Sequence, residues 1–187
     1  RCNIISGCTA FMPYETCLEF VKDALRDPNP SVSLLAAKFF VKKGSQDDAS
    51  EYREWALDDS YPLPVRLTLY RAALRHLPFY YALTKASIRG ALRSILQKTD
   101  DPYHRAQALM ALSEEWDYRP DILGYATVEQ PPPVRTGAVR AYVNAYEQAG
   151  RLSVGQQRTW LLQMQEFLLT EDPGMSYVAA DALLKRE

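Results

Sequence analysis

Side chains that carry chemistry are scarce in this sequence. Its 187 residues include two histidines and three cysteines, and neither type is grouped with Asp or Glu at metal-ligand spacing. His76 and His104 fall on or beside faces that read as packing surfaces, so each is expected to be a packed, hydrogen-bonded histidine rather than a catalyst or ligand. The cysteines, Cys2, Cys8 and Cys17, are confined to the first tenth of the chain. Their odd number and the lack of an Asn-x-Ser/Thr sequon argue against an extracellular disulfide framework, since Pro30 disqualifies Asn29. Cys17 reads as a buried small apolar residue, and Cys2 and Cys8 as a pair able to bridge only in an oxidising compartment. No apolar run approaches the roughly 18 residues of a membrane span. Ile4 to Phe11 is too short for a signal peptide and is interrupted by Ser6, Gly7 and Thr9. No stretch alternates with period two for long enough to make a strand. Gly150 to Gly155 lacks the Lys-Ser/Thr of a phosphate loop and follows a helix rather than a strand. The adjacent acids Asp100-Asp101 and Glu114-Glu115 read as helix ends. These absences predict a soluble, non-enzymatic chain without metal or cofactor, and the cysteine usage favours the cytoplasm. A start at Arg1 and an end at Lys185-Arg186-Glu187 are expected of a processed chain or a piece of a longer one, in which a catalytic domain elsewhere is not excluded.

What is present is a register. Five times an acidic residue is followed within a few positions by proline and then by an apolar helix start. With Val32, Val65, His104, Val134 and Met175 as anchors, the positions four further on are Ala36, Leu69, Ala108, Ala138 and Ala179. Seven on come Phe39, Ala72, Ala111, Ala141 and Ala182; eight on come Phe40, Ala73, Leu112, Tyr142 and Leu183. That is one helix face written five times. Between these helices lie five more segments of helical period, around Cys17–Leu25, Tyr52–Ala56, Ile88–Leu96, Ile122–Ala126 and Trp160–Leu168. Helices are therefore predicted in pairs. Proline stops the incoming helix and suits the first turn of the next, where its missing donor costs nothing; the acid ahead of it is placed to cap. Gly44, Gly150 and the neighbourhood of Gly124 carry looser links.

The run of acid, proline, Val-Arg and small residues at fixed helical spacing, as in Pro64-Val65-Arg66, His104-Arg105 and Pro133-Val134-Arg135, resembles HEAT repeats. The likeness covers about residues 13 to 187 and departs where Ser33 and Ser176 replace the arginine and His104 the aliphatic anchor. It implies an all-α fold without a sheet, a right-handed α-α superhelix (solenoid) of about five HEAT-like helical pairs. Residues 1–12 then form an N-terminal extension, or the end of a preceding segment. Residues 13–187 form one domain with units near 13–44, 45–78, 79–116, 117–150 and 151–187. The family also implies that Arg66, Arg105 and Arg135 pair with nearby acids to lock neighbouring units. Its typical use is a concave surface that binds proteins, so a non-catalytic interaction or scaffold module is expected.

A formal net charge of −1 leaves the whole chain no electrostatic reason to seek nucleic acid or an anionic membrane. Locally it is different. From Tyr61 to Thr99 there is no Asp or Glu, while Arg66, Arg71, Arg75, Lys85, Arg89, Arg93 and Lys98 supply seven positive charges. Lys85, Arg89 and Arg93 recur at i, i+4 and i+8, and like charges so spaced repel by about 0.2–0.5 kcal/mol per pair. Either these side chains answer the flanking acids of adjacent helices, or they meet an anionic ligand. The second reading places a partner-binding surface at Arg71, Arg75, Lys85, Arg89, Arg93 and Tyr81, with an acidic protein as the partner and nucleic acid as the alternative. Tyr70, Phe79 and Tyr80 lie among the same residues, and aromatics beside arginine are what protein hot spots and single-strand nucleic-acid sites use.

Overall fold

The computed structural model describes residues 1–115, 119–149 and 152–185, Arg119 by its backbone alone. Asp117, Gly150, Arg151, Arg186 and Glu187, on which parts of the sequence reading fall, lie outside them. Every element among the described residues is a helix: α1 Cys2–Phe11, α2 Tyr14–Leu25, α3 Pro30–Lys43, α4 Ala49–Leu57, α5 Leu63–His76, α6 Ala82–Lys98, α7 Pro102–Leu112, α8 Arg119–Leu123, α9 Pro132–Gln148, α10 Val154–Leu168 and α11 Pro173–Leu184. The chain forms two compact units, Arg1–Ser94 and Ile95–Glu187, with the division falling inside α6.

The five anchored helices are α3, α5, α7, α9 and α11, and each carries proline in its first turn. Their register decides what is buried: of the twenty anchor, +4, +7 and +8 positions, all but His104 and Leu183 are buried. Capping is less uniform than the sequence suggests. Asp101 accepts from the amides of Tyr103 and His104, and Asp172 from those of Gly174 and Met175. In α3 the cap is Asn29, while Asp27 folds the turn by accepting from the Asn29 amide. For α5 and α9 a proline occupies the cap position itself, so the nearby acid has no capping role and Asp59 pairs with Arg66 instead. Ser153 and Gln156 form a reciprocal capping box at α10.

In unit 1, α2 and α5 pack against α3, and α4 packs against α5. Residues 1–12, expected as an N-terminal extension or the end of a preceding segment, contain α1, which packs on α3 and buries Ile5 and Cys8. Cys8 lies against Cys17, all three are free, and burial, with the Cys8 thiol as hydrogen-bonding neighbour, pushes the Cys17 thiol up to about 11. A thiol so protonated is a packing group rather than a nucleophile. The core is aromatic: Phe40 sits 5.1 Å from Tyr52 and 5.5 Å from Trp55, and Tyr14 stacks on Phe39 at 5.8 Å. Its polar ends are satisfied. The Tyr14 hydroxyl donates to Asp48 at 2.6 Å and lies 2.8 Å from the Tyr52 hydroxyl, which accepts from the Ser45 amide. Burial, then the bonds to Asp48 and Tyr52, hold Tyr14 protonated well beyond the ordinary tyrosine range.

Gly44 ends α3 in the middle of this cluster. A Cβ there would stand 2.8 Å from the Tyr52 hydroxyl and 3.0 Å from His76 Nε2, besides striking the Phe40 carbonyl. Gly→Ala at a compatible site stabilises by about 0.4–1 kcal/mol; at Gly44 the collision reverses the sign. Gly44→Ala is expected to lower stability by about 1 kcal/mol. A urea midpoint equal to or above that of the parent chain would refute the close approach.

In unit 2, α7, α8 and α11 pack against α9, and α10 against α11. α7 and α9 approach until a Cβ on Gly137 would meet the Cβ of Ala106 at 2.5 Å and its Cα at 2.9 Å. Tyr142, Tyr146, Trp160 and Phe167 fill the α9–α10 side, with Tyr146 and Trp160 rings 5.9 Å apart. Two arginines that follow an anchor reach to the next proline turn. Arg105 donates to Gln130 Oε1 at 2.9 Å. Arg135 donates to Asp172 Oδ2 through Nε at 2.7 Å and Nη2 at 2.6 Å, and to the carbonyls of Val128 and Gln130. Arg66 turns back instead, to Asp59 and, at 2.9 Å, to the Ala56 carbonyl at the end of α4.

Candidate functional site

All six residues singled out as a partner surface, Arg71, Arg75, Lys85, Arg89, Arg93 and Tyr81, belong to unit 1. Arg71 and Arg75 stand on the outer side of α5, six and ten positions after the anchor Val65; Lys85, Arg89 and Arg93 run along α6. Arg75, Arg93 and Tyr81 are exposed, and Arg71, Lys85 and Arg89 half-buried. Each of the five cations already interacts with another group of the chain.

The fold adds to this surface what the stretch 61–99 did not contain. α3 packs on α5, and at the same two register positions after its anchor it carries Lys38 and Lys42, both exposed. α3, α5 and α6 together contain no Asp or Glu; every acid of unit 1 lies in α2, α4 or a turn. The signal was in the sequence, as a second acid-free stretch from Pro28 to Gln46, and only the adjacency of α3 and α5 gives it meaning.

The second component is the turn between α5 and α6. Pro78 stops α5, the Tyr81 amide donates to the Pro78 carbonyl at 3.1 Å, and the Lys85 amide to the Tyr81 carbonyl at 2.9 Å, which closes a turn and starts α6. The two central positions of such a turn ordinarily take small polar residues. Here they are Phe79, 87% exposed, and Tyr80, 63% exposed; Tyr81 and Leu83, the latter 89% exposed, follow. Their rings form a cluster, Phe79 edge-on to Tyr80 at 5.6 Å and Tyr80 tilted on Tyr81 at 5.0 Å. Gln46 donates to the Tyr80 hydroxyl at 3.2 Å and ties the cluster to the end of α3. Tyr70, which the sequence grouped with these three, is buried in the core. Four large apolar side chains within five residues of one exposed turn contribute nothing to the core, and exposed apolar patches of this kind mark interaction sites.

The two histidines serve the framework. His76 Nε2 lies 3.0 Å from the Phe40 carbonyl, a geometry in which the ring nitrogen donates, and His104 Nδ1 lies 3.4 Å from the capping carboxylate of Asp101. Among the described residues no three His, Cys, Asp or Glu side chains are grouped to hold a metal ion, and no helix is long and apolar enough to cross a membrane. Comparison with protein-family models, with curated proteins and with solved structures gives no match for this chain.

Proposed function

We propose that the chain is a non-catalytic protein-interaction module, a HEAT-like array of helical pairs wound as a right-handed solenoid, and that unit 1 carries its binding surface. The fivefold register, with proline opening every anchored helix, supports the array. The observation that carries the function is the exposed Phe79–Tyr80–Tyr81 cluster with Leu83, set beside three helices without a carboxylate. Aromatic anchors supply most of the energy of protein interfaces, and a one-signed rim sets partner choice and association rate. The partner is therefore a protein with an acidic surface around an apolar pocket. Nucleic acid is the second reading, favoured by the stacked rings beside lysine and arginine; binding of a single-stranded oligonucleotide that falls steeply with salt would select it.

The test uses the whole 187-residue chain as bait beside two variants, Phe79→Ser/Leu83→Ser and Lys38→Glu/Lys42→Glu. These positions are exposed, so far-UV circular dichroism should match the parent. Each variant is expected to retain a tenth or less of the parent's captured partner, a loss of about 1.4 kcal/mol or more. Identical partner lists at identical yield from all three baits would reject the reading.

A further inference from the structure

The anchored helices of unit 2 leave a trough. Two hollows of about 290 Å³ each open on one face, one between α7 and α9 and one between α9 and α11, and they share Met110 and Arg140. The trough exists because its floor is made of small residues: Ala106 against Gly137, and Ala182 on α11. From Pro133 to Glu147 the lining follows α9 over fifteen residues, roughly 21 Å of helix and the length of about six extended residues.

The side chains around it are those that interfaces favour. Tyr103 and Tyr177, 68% and 69% exposed, stand on its α7 and α11 walls, with Met110 between; Tyr, Met and Arg are enriched at protein contacts, and Met adapts its shape to what it meets. The charge is uneven. Arg140 is exposed where the two hollows join and makes no ion pair among the described residues. Its helical neighbours at three and four positions are Thr136, Gly137, Val143 and Asn144, none of them acidic. Asp181 gives its carboxylate to Lys185 at 2.6 Å, and the Asn144 amide goes to Ser113 and Glu114. Glu147 lies seven residues beyond Arg140, about 10 Å along the helix.

We propose that this face of unit 2 is a second, separate binding site, for an extended peptide segment of about six residues that seats one Asp or Glu on Arg140 and lays apolar side chains over Met110 between Tyr103 and Tyr177. It does not depend on the surface of unit 1. The test is selection of a displayed library of random seven-residue peptides on the whole chain and on Arg140→Glu. The parent is expected to enrich sequences with one acidic residue flanked by apolar ones, and Arg140→Glu to enrich Lys or Arg at that position. A synthetic copy of the peptide enriched on the parent should bind Tyr103→Ala/Tyr177→Ala at least tenfold more weakly, and Lys38→Glu/Lys42→Glu with unchanged affinity. No enrichment on the parent, the same sequences from parent and Arg140→Glu, or equal affinity for the tyrosine variant would each overturn the site. Loss of binding in Lys38→Glu/Lys42→Glu would assign the peptide to unit 1 and likewise overturn it.

Discussion

Asp172→Ala is expected to lower the unfolding free energy by about 2–4 kcal/mol, because one carboxylate performs two tasks. Its Oδ1 caps α11 by accepting from Gly174 and Met175, and its Oδ2 holds the guanidinium of Arg135 from α9. A lost cap costs about 1 kcal/mol. The rest comes from Arg135, whose side chain is only 18% exposed, so that its charge loses a partner without regaining water. The carbonyls of Val128 and Gln130 still accept from it and limit the loss. Asp172→Asn keeps a cap acceptor and removes the charge, so it should cost less. The pair also predicts an acid response. Burial disfavours the Asp172 carboxylate, but the Met175 amide, Arg135 and the Gly174 amide outweigh it and hold its pKa below the usual value. A folded pKa below the unfolded one of about 3.9 stabilises at neutral pH and loses that contribution as the pH falls through the folded value. In urea titrations the gap between parent and Asp172→Asn should therefore be full at neutral pH and shrink below about pH 4. A gap independent of pH would refute the electrostatic part, and an Asp172→Ala chain as stable as the parent would refute the lock.

Ala138→Phe should cost about 1–3 kcal/mol and lower the melting temperature by about 2–12 °C. Ala138 is fully buried at the +4 position of α9, next to the residue where α7 and α9 nearly touch, Gly137 over Ala106. A phenyl ring has no volume to enter, and the backbones cannot part without exposing Leu109 and Val139, both fully buried. The control is Arg140→Ala, two residues on and facing outward, which is expected to leave the melt within about 0.5 kcal/mol of the parent. Equal melting of Ala138→Phe and the parent would mean that the alanine positions do not mark helix contacts.

The all-helical class, the ten periodic segments and the burial register were legible because helix period, proline position and small-residue spacing are local properties of the chain. α1 was not legible: its apolar residues do not mark one inward face, since Ile4 and Phe11 are exposed while Ile5 and Cys8 are buried, and the helix is held by packing on α3. The caps of α5 and α9 were misjudged for a local reason as well, since a proline at the cap displaces the acid from reach.

The surface was half legible. An acid-free stretch is visible as a string of letters, but whether a tyrosine within it is core or surface is not: Tyr70, on a helix, is buried, whereas Tyr80, on the turn after Pro78, is exposed.

Sequence alone determined where the anchored helices start, which face of each turns inward, and how positive charge is distributed along the chain, because each follows from residue spacings shorter than a few turns. Tertiary structure alone decided that Lys38 and Lys42 join the charge of α5, that Cys8 meets Cys17, that Arg135 takes Asp172 while Arg66 turns back to Asp59, and that Arg140 is left over a trough. Those are choices among several chemically equivalent partners, and only the packing of distant segments removes the alternatives.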